Sequence, residues 1–175
     1  MATGYILLPI SAAVPSDGSA SNAAPAISRV QGTETSPKKH SIIASFDATT
    51  DEHLSWTFVM PGDYASGGDL LILWETNDTG ATETCVWGGR LGAVSEGDTD
   101  TPVEHAHAAA STASEDVNAT EARRLISTAL TLANLDSVAA GDLVFILFYR
   151  DPDNASDDLT SDANLWGLRF AYTTA

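Results

Sequence analysis

Three groups of residues in this 175-residue chain have the types and spacing to do chemistry. The first is Asp151-Pro-Asp-Asn-Ala-Ser-Asp-Asp-Leu-Thr-Ser-Asp162, which gathers five carboxylates and the Asn154 amide within twelve residues. Calcium collects oxygen ligands of this kind. An EF-hand loop needs a central glycine and a closing glutamate, and both are missing, so a solvated acidic turn is the reading taken. The second is Glu104-His-Ala-His107, where an extended backbone puts two imidazoles on one side. Such a pair can ligate zinc or nickel, or line a trimer axis, but no third ligand stands at a clear spacing. Exposed loop histidines are expected. The third is the set of four tryptophans, Trp56, Trp74, Trp87 and Trp166, which could form a platform for stacking sugars. Trp56, Trp74 and Trp166 fall on apolar strand faces and Trp87 shares a face with Cys85. Core packing is therefore expected for at least three of them.

Catalytic groupings are missing. There is no Gly-x-Ser-x-Gly elbow and no phosphate-cradling loop ending in Lys-Ser or Lys-Thr. Gly88-Gly89-Arg90-Leu91-Gly92 is a faint echo of a dinucleotide loop, but it opens no helix. No two carboxylates are singled out as a glycosidase pair by their spacing. The single Cys85 excludes an internal disulfide and reads as a small buried thiol. A non-enzymatic chain is expected, with no catalytic, cofactor-binding or metal residue.

The elements that would position these groups are strands. Leu54, Trp56, Phe58 and Met60 alternate with Ser55 and Thr57 before the break at Pro61-Gly62, the pattern of a half-buried strand entering a turn. Further strand-like runs follow at 41–46, 69–75, 83–94, 142–150 and 164–172. Between them stand turn signals such as Ser66-Gly67-Gly68, Gly97-Asp98 and Asp151-Pro152-Asp153-Asn154. Many short strands parted by turns indicate a sandwich or barrel. The stretch 97–116 is small, polar and acidic and reads as a long surface loop.

The segment 118–135 fits two patterns. Ala122, Leu125, Ile126, Ala129, Leu130 and Ala133 match a helical stripe that Asn118 could cap, while Ile126, Thr128, Leu130 and Leu132 share one face of a strand. The β context selects the strand. In Leu70–Trp74 and Leu143–Tyr149 both alternating faces are apolar, so something must cover the second face. The N-terminal arm or another subunit could do so. Residues 1–37, rich in Ser, Ala, Pro and Gly beyond Tyr5–Ile10, read as that arm, and 38–175 as one sandwich domain.

The charge is extreme. Twenty-four Asp and Glu oppose eight Lys and Arg, for a net charge of −16. Such a chain repels nucleic acid and anionic membranes, and neither is expected as a partner. Its acid-rich, lysine-poor composition resembles that of proteins working in salty water. No basic segment and long apolar run follow Met1, so neither a signal peptide nor a membrane-spanning helix is expected, and Asn77, Asn118 and Asn154 read as loop asparagines despite their glycosylation-type spacing.

Two ordered sets of residues carry a family resemblance. Phe46-Asp-Ala-Thr-Thr-Asp-Glu52, Phe58-Val-Met-Pro-Gly-Asp-Tyr64, Leu71-Ile-Leu-Trp74 and Val86-Trp87 form the first. Leu135-Asp-Ser-Val-Ala-Ala-Gly-Asp142, Leu147-Phe-Tyr-Arg-Asp151, Asp157-Asp158 and Leu165 to Tyr172 form the second. Together they resemble small β-jelly-roll virion structural proteins of tailed bacteriophages. The resemblance implies an all-β, jelly-roll-like antiparallel sandwich with an extended N-terminal arm, assembling as a homotrimer. It also implies a capsid decoration (cement) protein on the virion surface, with the major capsid protein as partner and no cofactor. The alternative is a tail-associated receptor- or carbohydrate-binding domain, which predicts exposed aromatics such as Tyr64 or Trp87 on distal loops.

Overall fold

The computed structural model describes residues 2–19, 22–79, 83–117 and 122–175. Eleven strands follow one another: β1 (Thr3–Leu8), β2 (Val14–Pro15), β3 (Ala26–Gln31), β4 (His40–Phe46), β5 (Glu52–Val59), β6 (Tyr64–Thr76), β7 (Thr84–Val94), β8 (Ser111–Asp116), β9 (Ile126–Thr131), β10 (Leu143–Arg150) and β11 (Ala163–Thr174). Among the described residues a single 3-10 turn, at Ile10–Ala12, interrupts them. One sheet has the order β3-β4-β11-β6-β9, with β1 added to β11, and the other has the order β2-β5-β10-β7-β8. Every pairing between strands is antiparallel. The fold is an all-β, jelly-roll-like sandwich, one of the two architectures that the alternation indicated and the one that the resemblance implied. Among the described residues no helix is long and apolar enough to cross a membrane.

The alternation in β5 works as read. Leu54, Trp56 and Met60 are buried, while Thr57 and Val59 are exposed. The segment that also fitted a helix is a strand over Ile126–Thr131, with Thr128, Leu130 and the following Leu132 buried on one face. Asn118, the proposed helix cap, lies outside the described residues. Inside the sandwich, Phe46 and Trp74 from one sheet meet Trp87 and Phe148 from the other. Trp87 stacks on Phe148 at 5.1 Å and takes the edges of Phe46 and Trp74 at 5.3 and 5.7 Å. Offset and edge-on contacts of this kind add to the burial of large apolar surfaces.

The described part of residues 1–37 is largely extended and woven into the sheets. β1 pairs with β11 from Thr3–Thr173 to Leu8–Leu168. β2 pairs with β5, and β3 forms a hairpin with β4 across the boundary at residue 37. Leu8 and Ile10 enter the core, and Trp56 Nε1 donates to the Pro9 carbonyl at 2.9 Å. This placement corrects the expected cover for the doubly apolar strands. The N-terminal segment widens the sheets edge-on, so the outward Leu73 stays 42% exposed and Leu7 adds another leucine, 76% exposed. On the other sheet the chain fills the space over two glycines of β7. The Tyr149 ring fills the space over Gly88, where a Cβ would come within 2.2 Å of it, and His107 lies over Gly92.

Candidate functional site

A groove lies on the outer face of the β1-bearing sheet. Its floor is Ser41 of β4, Glu75 of β6 and Trp166 of β11; its walls are Arg123, the facing strand ends Gln31 of β3 and His40 of β4, and the connection between them with Thr33, Glu34 and Lys39. The volume is about 590 Å³.

Trp166 faces outward because β11 carries a bulge. Pairing with β6 shifts register between Leu165 and Gly167, so Leu165 points inward and so do Leu168, Phe170 and Tyr172 beyond the bulge. The extra residue turns the indole to solvent, 37% exposed. Glu75 lies at the far end of β6 and is only 2% exposed. Its Oε2 is 3.4 Å from Arg123 Nε, and its Oε1 accepts from Asn164 Nδ2 at 3.3 Å. Asn164 is in turn held by Ser45 Oγ, which donates to its Oδ1 at 2.6 Å. The wall loop closes through Gly32 N–H on the Lys39 carbonyl, and Lys39 N–H donates to Glu34 Oε1 at 3.0 Å. Glu34's own backbone N–H, and then that of Lys39, hold the Glu34 carboxyl below its ordinary pKa. The groove thus joins one aromatic face to amide, hydroxyl, imidazole and charged groups on a rigid sheet.

The residues singled out from sequence lie elsewhere, with one exception. Trp56, Trp74 and Trp87 are core residues, and Trp166 alone of the four lines the groove. Of the two aromatics expected at distal loops, Trp87 is wholly buried and Tyr64 is half-buried with its ring 5.8 Å from Tyr172. Gly88–Gly92 runs through the middle of β7. Cys85 is buried, and burial pushes its thiol pKa up, away from reactivity.

The acidic run 151–162 wraps around a buried cation. Arg150 is fully buried and pairs with both oxygens of Asp157, at 3.1 Å from Nε and 2.8 Å from a terminal nitrogen, while Asp157 also accepts from Val86 N–H. Asp158 accepts from Thr84 N–H, and Asp151 from the Asn154 amide. His105 and His107 point to different surroundings. His105 bridges Asp100 and Asp136, whose hydrogen bonds raise its pKa, whereas burial beside Gly92 lowers that of His107. Among the described residues no three His, Cys, Asp or Glu side chains are grouped to hold a metal ion.

No protein-family model matches the chain, and no curated protein sequence is similar to it. Solved structures resemble it at low identity. The CBM22-1 xylan-binding domain of Paenibacillus barcinonensis Xyn10C aligns over 95% of this chain and 89% of its own, at 9% identity and a TM-score of 0.46. A family 35 carbohydrate-binding module from Clostridium thermocellum aligns over 95% and 97%, at 11% identity and a TM-score of 0.44. The enzymatically active domain of bacteriophage CBA120 tailspike protein 4 aligns over 95% of this chain but 19% of its own, at 10% identity and a TM-score of 0.41. At these values none of them passes a ligand or an activity to this chain. The strand pairing itself establishes a β-sandwich, and a capsid protein is not specified by it.

Proposed function

We propose that this chain is a non-enzymatic binding module that takes a saccharide in the groove over Trp166. The observation that carries this reading is the solvent-facing indole set in a floor walled by polar side chains. A pyranose ring offers an apolar C–H face and a rim of hydroxyls. The indole face suits the first, while Gln31, Thr33, His40 and Ser41 suit the second. The volume falls within the range of small-molecule sites, about 300–1,000 Å³. Titration calorimetry against a panel of oligosaccharides tests the proposal. Binding to at least one, weakened on the order of tenfold or more by Trp166→Ala with the circular dichroism unchanged, is expected. Binding that ignores Trp166→Ala would sink it.

A second reading, attachment to a virion shell as a trimeric decoration protein, is favoured by one feature. Leu7, Leu71 and Leu73 form an outward apolar strip beside the groove. A second copy or a major capsid protein seated there would remove it from water. Light scattering decides the self-assembly part, since a trimer has three times the 18.3 kDa chain mass. A monomer that stays monomeric at high concentration would leave the strip to another partner or to solvent.

A further inference from the structure

We infer that the saccharide taken by the groove carries a carboxylate, as in a uronic acid unit, and that Lys39 and Arg123 recognise it. This rests on the saccharide-binding reading above. The groove holds two acids and two fixed cations, yet the two signs are not equally available. Glu75 is buried beneath Arg123 and Asn164, and Glu34 is turned onto the backbone of its own loop. Both carboxylates are occupied by donors from within the chain. Arg123 meets Glu75 through Nε, and its side chain is 59% exposed. The Lys39 ammonium is exposed and has no ion-pair partner among the described residues.

The N–H groups offered to a ligand beside Trp166 therefore come chiefly from cations. A guanidinium and an ammonium hydrogen-bond a carboxylate more strongly than a neutral hydroxyl. Two of the chain's eight basic residues stand in this groove, in a chain that carries twenty-four Asp and Glu. The net charge of −16 does not forbid an anionic ligand. At physiological salt the screening length is about 8 Å, so distant acids are damped while a contact pair is not.

The test is calorimetry at about 0.15 M salt with oligomers of galacturonate, glucuronate, mannuronate and guluronate, each beside its carboxyl-reduced form. A uronate oligomer that binds on the order of tenfold more tightly than its reduced form supports the inference. Lys39→Gln should then remove much of that difference. Arg123→Gln would leave the buried Glu75 without its cation, so Lys39→Gln is the cleaner variant, and Arg123→Lys supplies a second. Equal binding of acid and reduced forms, or binding of reduced forms only, overturns the carboxylate inference while the saccharide reading stands. Binding of no oligosaccharide in either this panel or the neutral one overturns both.

Discussion

At the residue scale the most consequential pair is Arg150 and Asp157, side chains 0% and 1% exposed. The guanidinium is also met by the Asp47, Leu159 and Ser161 carbonyls, so the loop 151–162 folds as a cradle for one cation. Removing one partner of a buried pair leaves an uncompensated charge, which costs about 3–5 kcal/mol. Asp157→Asn should lower stability by that amount in urea unfolding; a loss below about 1 kcal/mol would mean that the carbonyl cradle alone suffices. His105 gives a pH signature. Hydrogen bonds to Asp136 and then Asp100 raise its folded-state pKa above the unfolded value near 6.5. A raised folded pKa stabilises fully below the unfolded value, and the effect is lost as pH rises through the folded one. The melting difference between wild type and His105→Gln should therefore be greatest near about pH 6 and vanish at about pH 9. A gap that widens with pH would contradict the bridge.

At the element scale the N-terminal strands decide how the sandwich closes. β1 covers the edge that β4 leaves open along β11, since β4 pairs with residues 163–165 and β1 with residues 168–173. Amide exchange in β1 should then be slow, with Ile6 and Leu8 protected to within about 1–2 kcal/mol of global unfolding. Exchange at free-chain rates would show a loose arm. The place of β1 was hidden in the sequence, because pairing partners more than a hundred residues away in β11 leave no local mark. β5 was legible because one of its faces is apolar and the other polar. β9 was legible only through context, since Ala and Leu serve helix and strand alike. The groove was hidden by one residue. Strict alternation puts Trp166 on the face of Leu168 and Phe170, and only the bulge reverses it. Gly167, inside an apolar strand, was the available signal. Glu75 and Arg123 are brought together by β6 and a turn 48 residues apart, a distance over which no spacing rule reaches.

At the scale of the whole molecule, charge opposes the fold. The net charge of −16 repels itself over distances longer than any contact, while the pairs that organise the structure, Arg150–Asp157 and Arg123–Glu75, each hold a carboxylate that is almost wholly buried and feel salt weakly. The two kinds of interaction separate on adding salt. Between about 0.01 and 1 M sodium chloride the Debye length falls from roughly 30 to 3 Å, which removes the repulsion and spares the buried pairs. The melting temperature should therefore rise, on the order of 5 °C, each kcal/mol being worth about 2–4 °C in a chain of this size. Chloride promotes burial of apolar surface only weakly, but a control is still needed to assign the rise to charge. Glu96 and Asp153 are exposed, so Glu96→Gln with Asp153→Asn reduces the magnitude of the net charge and leaves the core alone. That double variant should melt above the wild type at low salt and match it at high salt. An equal offset at both salt concentrations would mean that the acidic surface acts through local contacts, and that this sandwich tolerates its charge without needing salt.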